Sequence, residues 1–209
     1  MIMEQPKQLS ELVRELDTLP IPSYAATQSK CLELSRQRGT LVMQRFGSED
    51  DFMMKVNPST QTAFGENPKT AITGDYPTLR DIDMAYGNGF STEWVMVQID
   101  NMSLHTGARN LTKEQQLELS RIIATEYRHL KVTELLLFFY RFKTGRYGRF
   151  YGSVDPMVVT CALRDFVEER NSMIDQYDQE RRTKESEKGR EGAITYEEWI
   201  RMKQNNNAL

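Results

Sequence analysis

The feature that most constrains the fold is a dense apolar run at residues 135–142, in which Arg141 is the one charged residue. A run of this length is far shorter than the roughly 20 apolar residues that a membrane-spanning helix needs. In a globular protein, a helix that is apolar on nearly every side is buried among other helices. Thr133 is a candidate N-cap for this helix and Gly145 a candidate stop. The sequence therefore predicts a central core helix at residues 133–143.

Helical patterns on both sides of this run can supply the helices that cover it. Thr112 and Gln115 form a capping-box pattern ahead of an apolar face. Asp155 followed by Pro156 is typical of a helix start, and it precedes the longest predicted helix, residues 156–182. We therefore predict an all-α protein, a single helical-bundle domain in which this long helix packs against the central one.

Four parts make up the predicted chain: an N-terminal helical segment at 1–56, a linker or long loop at 57–77, a helical core domain at 78–182, and a charged extension at 183–209 with a short terminal helix at 194–204. We expect the first part to be loosely attached. It contains an amphipathic helix at residues 8–18, which Pro20 and Pro22 end, and a weaker helical pattern that Gly39 is expected to break. The linker prediction rests on three prolines and two glycines without helical periodicity.

A basic and aromatic stretch overlaps the central helix and follows it. Residues 127–151 hold six lysines and arginines against one acidic residue, Glu134, although the whole chain has a net charge of −3. Such a stretch can contact phosphates through its cations and stack its rings on bases. A protein partner, or a purely structural connection between two helices, explains the same residues. The candidate residues for binding nucleic acid or a partner are Arg141, Lys143, Arg146, Tyr147, Arg149, Phe150 and Tyr151.

The sequence lacks the local motifs of catalysis and metal binding. It has no phosphate-binding loop, dinucleotide fingerprint or hydrolase nucleophile elbow. His105 and His129 have no neighbours at metal-ligand spacing, and Cys31 and Cys161 have no CxxC partner. We therefore expect a protein that is not an enzyme and that has no catalytic residues, no metal and no cofactor.

Three short motifs, KVTELLLFF, YGRFYG and VDPM, occur within residues 79–170. Through them the chain resembles a family of uncharacterised helical proteins of Bacteroidetes bacteria, their prophages and mobile elements. The resemblance implies a phage-like setting, in which small all-α proteins act as replication accessories such as helicase loaders, or as DNA-binding regulators. That family has no established activity, so the resemblance assigns no role to any residue.

These observations favour a non-enzymatic binding or adaptor protein, in the form of a phage-type, helicase-loader-like replication accessory or a nucleic-acid-associated regulator. A virion structural or assembly protein and an enzyme with a dispersed site are the alternatives. The candidate partners are a protein of a replication complex and single-stranded or duplex nucleic acid. The N-terminus lacks the basic and apolar regions of a signal peptide, which predicts a cytoplasmic protein without membrane contact. The oligomeric state is left open.

Overall fold

The computed structural model describes residues 24–106, 111–148 and 155–191, and helices dominate all three ranges. The predicted all-α fold is confirmed. The predicted helices at 8–18 and 194–204, and the candidate residues Arg149, Phe150 and Tyr151, lie outside the described residues. In chain order, the helices are α1 Tyr24–Phe46, α2 Glu49–Lys55, α3 Gln61–Glu66, α4 Pro68–Thr73, α5 Leu79–Tyr86, α6 Phe90–Thr106, α7 Lys113–Glu126, α8 Val132–Lys143 and α9 Pro156–Glu191, with a 3-10 turn at Pro58–Thr60.

Helix α8 is the centre of the fold, as the apolar run predicts. Leu136, Leu137 and Phe139 are completely buried. Helices α3, α4, α6 and α9 pack around it and cover its different faces, which is the environment that a helix apolar on nearly every side requires. Among the described residues, none of the helices combines the length and the apolar character that crossing a bilayer would take.

The start of α8 differs from the prediction. The predicted N-cap, Thr133, lies inside the first turn, and its hydroxyl donates a hydrogen bond of 2.8 Å to the carbonyl oxygen of Ala71 in α4. The residue that precedes the helix is Lys131, whose backbone N–H donates to Oε2 of Glu134 at 2.9 Å. The hydroxyl of Thr133 could cap its own helix, but it binds the neighbouring helix α4 instead. Which of the two bonds forms depends on the tertiary structure.

The first residues of α5 and α8 are joined side by side. Thr78 and Lys131 form an isolated antiparallel bridge. The N–H of Leu79 donates to the carbonyl of Leu130 at 3.0 Å, and the N–H of Val132 donates to the carbonyl of Pro77 at 2.9 Å. We call this arrangement the Thr78–Lys131 junction. It places the end of the α7–α8 turn next to the start of α5.

The predicted linker at 57–77 is wrong as to its structure, because this segment forms a 3-10 turn followed by α3 and α4. Both helices pack on α8. Gly65 lets α3 approach the ring of Tyr140 so closely that an added Cβ would lie 2.3 Å from it. On the inner side of α4, the side chains of Ala71 and Ile72 are buried in the core. These helices are too short for a 3.6-residue periodicity to appear in the sequence. Their prolines and glycines therefore look like those of a loop.

Helices α1 and α2 are part of the same core, which corrects the prediction of a loosely attached segment for residues 24–56. Phe52 of α2 is fully buried and packs edge-on against Phe46 and Phe90 at centroid distances of 5.2 and 5.6 Å. The indole N–H of Trp94 in α6 donates to the carbonyl oxygen of Val56 at 2.7 Å. Helices α1 and α2 are thus held by the core, while the predicted boundaries between domains stay a prediction.

Gly39 does not break α1, which runs without interruption through it. An added Cβ at this position would lie 2.9 Å from the carbonyl oxygen of Met84 in α5. A glycine here lets the backbones of α1 and α5 touch, so its role is close packing.

Helix α9 begins as predicted, and the charge pattern at residues 178–192, mixed in sign, predicts that it continues as a solvated helical extension. The carboxylate of Asp155 accepts a hydrogen bond of 2.8 Å from the N–H of Met157, and Pro156 is the first helical residue. The helix continues through this charged extension to Glu191. Val159, Ala162, Leu163 and Phe166 pack its first half against the core.

Candidate partner-binding groove

Two arginines of the predicted basic stretch, Arg141 and Arg146, contact helix α9. Arg141 donates from Nη1 to Oε2 of Glu169 at 2.9 Å, and its guanidinium lies 5.9 Å from the ring centre of Phe166. Arg146 donates from Nε to both carboxylate oxygens of Glu169, at 3.2 and 3.1 Å. Glu169 therefore pairs with two of the arginines that were candidates for contacting phosphate. Through this carboxylate, both arginines hold the end of α8 and the turn after it against α9.

The other described candidates also have structural roles. Lys143 donates from Nζ to Oδ1 of Asn101 in α6 at 3.0 Å, and burial lowers the pKa of this lysine. The ring of Tyr147 packs against Phe138 with centroids 5.8 Å apart. Burial raises the pKa of Tyr147 to about 12. Binding of nucleic acid or a partner by residues 141–151 stays a prediction, and their described members hold the end of α8 and the turn after it against α6 and α9.

A second polar anchor of α8 is a buried ion pair. The side chain of Glu134 is 0% exposed, and its Oε1 accepts a hydrogen bond of 2.7 Å from Nε of Arg170. Its other oxygen accepts from the N–H of Lys131. This pair joins α8 to α9 with both carboxylate oxygens satisfied, as a buried charge requires.

The candidate binding surface in the described part of the chain is a groove between α1 and the Thr78–Lys131 junction. It consists of two adjoining depressions with volumes of about 370 and 540 Å³, and Arg38, Thr78 and Asp81 line both. One wall is the outer face of α1. The other wall is formed by residues 75–81 and by the turn at 128–131. We call this surface the α1 groove.

Basic side chains outnumber acidic ones along the α1 groove. Its lining contains five lysines and arginines and two aspartates, which gives a local net charge of +3 in a chain whose overall charge is −3. The carboxylate of Asp81 accepts hydrogen bonds from the N–H and the hydroxyl of Thr78, and the backbone carbonyl of Asp75 accepts one from Arg45. The basic residues are Arg38, Arg45, Arg80, Arg128 and Lys131, and the acidic ones are Asp75 and Asp81.

The basic groups of the α1 groove differ in how tightly they are held. Lys131 donates from Nζ to the carbonyl oxygens of Ile72 and Gly74, at 2.7 and 2.8 Å. The guanidinium of Arg45 lies 5.2 Å from the ring centre of Tyr76. Arg38 is the opposite case, because its side chain is 70% exposed and lies 4.0 Å from Oδ1 of Asp81. Lys131 and Arg45 are thus held in place by contacts within the groove, whereas the exposed side chain of Arg38 is free to change its conformation.

Aliphatic side chains alternate with these cations on the α1 wall. Leu34 is 53% exposed and Leu41 is 62% exposed. With Arg38 and Arg45 they occupy positions separated by three and four residues, so they share one face of the helix. A face that presents leucine and arginine in turn is suited to a partner that presents apolar and acidic side chains in the same spacing.

The sequence contained this signal in a weak form. Leu34 and Leu41 are visible as apolar residues in a helical pattern, and without the fold they read as core candidates. The opposite wall becomes apparent only when the Thr78–Lys131 junction brings Arg128 next to Arg38, far away in sequence. Within the described ranges, no three His, Cys, Asp or Glu side chains converge in a way that could hold a metal ion.

The comparisons with known proteins concern the C-terminal part of the chain. No curated protein and no solved structure gives a significant match. Helices α7, α8 and α9 fall within a match that excludes α1 and residues 75–81, and of the α1 groove it therefore includes only the turn at 128–131. That match is of residues 110–207 to the model of a family described as "Family of unknown function (DUF6633)", to which this part of the chain is similar.

Proposed function

We propose that the protein is a non-enzymatic adaptor whose partner lays an acidic amphipathic helix in the α1 groove. The observation that carries the proposal is the alternation of exposed leucines and arginines along one face of α1, opposite a second basic wall. Helix-in-groove recognition uses apolar anchors spaced by three or four residues along the bound helix. Leu34 and Leu41 are the matching contacts on this chain.

The electrostatics favour an acidic partner and set the strength of the contact. Each exposed ion pair with a partner carboxylate contributes only about 0.2–1 kcal/mol. Burying the exposed part of a leucine contributes about 1–2 kcal/mol at the usual area coefficient. Because the loss of rigid-body freedom offsets much of this gain, two leucines and several weak ion pairs correspond to a weak, reversible contact. This strength suits an adaptor that joins and leaves an assembly.

The aromatic rings of the groove argue for a protein rather than a nucleic-acid strand. Binding of single strands combines cations with aromatic faces that are free to stack on bases. Here the Tyr76 ring has Arg45 over it and Phe64 at its edge, with a centroid distance of 5.6 Å to the latter. Exposed leucines take the place of stacking platforms. We therefore propose a protein partner, and the experiment below includes an oligonucleotide to test nucleic-acid binding as the alternative.

The finer setting of this function is also a proposal. The resemblance to helical proteins of prophages and mobile elements supports a replication accessory, in which an adaptor of the helicase-loader type holds another protein of the complex. The basic stretch at 141–151, with Arg149, Phe150 and Tyr151 at its far end, is the proposed second contact of such an adaptor, for nucleic acid or another subunit.

The test uses a fluorescent helical peptide of about 18 residues, long enough to form helix on binding. It carries leucines spaced by three and four residues, with glutamates between them, and a matched peptide has lysine for every glutamate. Fluorescence anisotropy of the full chain should show binding of the acidic peptide and none of the basic one. A labelled thymidine oligonucleotide of similar length tests the nucleic-acid alternative.

The variant Arg38→Ala/Arg128→Ala should weaken binding of the acidic peptide by about tenfold, since it removes two exposed ion pairs. Arg164→Ala/Arg181→Ala is the matched control, because it removes the same charge from exposed sites on α9. The proposal is wrong if the two variants bind the acidic peptide equally. It is also wrong if the oligonucleotide binds and the groove variant weakens that binding instead.

A further inference from the structure

The segment at residues 8–18 has the chemistry that the α1 groove is suited to bind. Its pattern predicts an amphipathic helix whose apolar face repeats at spacings of three and four. Three acidic residues against one basic residue give the segment a net charge of −2, opposite in sign to the groove. The apolar residues are Leu9, Leu12, Val13 and Leu16, the acidic ones are Glu11, Glu15 and Asp17, and the basic one is Arg14.

We propose that residues 8–18 of the same chain bind in the α1 groove and compete there with the external partner. The inference rests on the groove being the binding surface proposed above. It adds a regulatory element, because a partner must displace the chain's own segment before it can bind. The segment itself lies outside the described residues, and its chemistry and its distance from α1 along the chain carry the argument.

The length of chain between the segment and α1 fits this placement. Pro20 and Pro22 lie in the connection, and a proline-rich connection is extended at about 3.1 Å per residue. The six steps from residue 18 to Tyr24 therefore reach about 19 Å, which along a helix rising 1.5 Å per residue is level with about residue 37. A helix of residues 8–18 that runs antiparallel to α1 would then have its C-terminal end beside Arg38.

The length of the segment also matches the groove. Eleven helical residues are about 16 Å long, and the α1 wall from Leu34 to Arg45 is about 17 Å long. Glu15 and Asp17 would lie near Arg38, while Leu9 and Leu12 would lie towards Arg45 and Leu41. Because the segment is tethered, its effective concentration at the groove is in the millimolar range, which makes even a weak contact competitive.

Paramagnetic relaxation tests the position of the segment directly. A spin label is attached at Ser10→Cys in the full chain with Cys31→Ser and Cys161→Ser, and amide signals are recorded by NMR. The amides of residues 34–45 should broaden. The broadening should disappear in the same chain with Leu12→Asp/Leu16→Asp. A label at Ser172→Cys, an exposed position on α9, is the matched control and should leave those amides sharp.

A mixed sample separates binding within one chain from binding between two copies. Spin-labelled chain without ¹⁵N is added to unlabelled ¹⁵N chain, and no broadening should appear in the latter. Broadening that appears only in the mixture means that the segment binds a second copy, which overturns the inference. Absence of broadening at residues 34–45 in both samples also overturns it.

Binding of the acidic peptide, measured together with the broadening, distinguishes failure of the adaptor proposal from failure of the inference. Leu12→Asp/Leu16→Asp should raise the affinity of the full chain for this peptide by about tenfold, because it removes a tethered competitor. If the peptide binds both forms equally and no broadening is seen, the adaptor proposal stands and the inference is overturned. If broadening is seen and the peptide binds neither form, residues 8–18 do bind in the α1 groove, and the adaptor proposal is overturned together with the competition that rests on it.

Discussion

Replacing Arg170 by methionine tests the anchoring of the central helix to α9. The substitution keeps most of the aliphatic stem of the side chain and removes the guanidinium that donates to Oε1 of Glu134 at 2.7 Å. The Glu134 carboxylate then retains only the N–H of Lys131, at 2.9 Å. Because Glu134 is 0% exposed, water cannot replace the lost donor without opening the core.

The expected loss of stability is large for a single side chain. Removing one partner of a buried ion pair costs about 3–5 kcal/mol, since a buried charge is left without compensation. With a urea m-value of about 2 kcal/mol/M for a chain of this size, the unfolding midpoint should fall by about 1.5–2.5 M. Urea titration followed by circular dichroism measures this shift. Arg164→Met is the control, because Arg164 lies on the same helix and is 68% exposed.

A double-mutant cycle attributes the loss to the pair itself. Glu134→Gln/Arg170→Met replaces the charge by an amide whose oxygen can still accept from Lys131, so it should recover about half of the stability lost in Arg170→Met. If Arg170→Met unfolds within about 0.5 kcal/mol of the Arg164→Met control, the buried pair does not anchor α8 and the reasoning is refuted.

Three further predictions concern packing and ionisation. Gly39→Ala should lower the free energy of unfolding by about 1–2 kcal/mol in a urea titration despite its better helix propensity, since its Cβ would meet the Met84 backbone at 2.9 Å; an unchanged or higher midpoint contradicts this. Gly65→Ala should cost about 1–3 kcal/mol, because its Cβ would meet the Tyr140 ring at 2.3 Å, and pairing it with Tyr140→Ala should remove the penalty. The native pKa of Tyr147, about 12, lies above its unfolded value of 10.0, so its contribution to stability is complete below pH 10 and is lost as the pH rises towards 12. Tyr147→Phe should therefore lose less stability than the wild type between pH 9 and pH 11.5, and equal losses would exclude this role.

The central helix could be predicted from the sequence because its signal is local and dense. Residues 135–142 are apolar on nearly every side, and this pattern has one structural solution in a globular protein. The predicted N-cap role of Thr133 is wrong because capping rules describe a helix in isolation, whereas its hydroxyl donates to the Ala71 carbonyl of another helix. The predicted break at Gly39 is wrong for a similar reason, since a glycine that ends one helix and a glycine that allows two helices to touch look identical in sequence.

The candidate site was only partly predictable. The charge excess around Arg141 and Arg146 is visible in the sequence, but the carboxylate of Glu169 that binds both of them comes from α9. Conversely, Arg38 and Arg128 lie far apart in sequence, and only the packing of α1 and the Thr78–Lys131 junction brings them into one groove. Sequence patterns show which side chains are available, while long-range packing decides which of them face each other.

The Thr78–Lys131 junction also determines when the groove can exist during folding. Lys131 donates to the carbonyl of Gly74 across a separation of 57 positions in the chain. Closing a loop of that length costs about 3.5 kcal/mol in chain entropy before any contact repays it. Contacts of such long range form slowly compared with the individual helices. A newly made chain therefore forms its separate helices before the two walls of the groove face each other, and a partner of the kind proposed for the groove would bind only after these long-range contacts have formed.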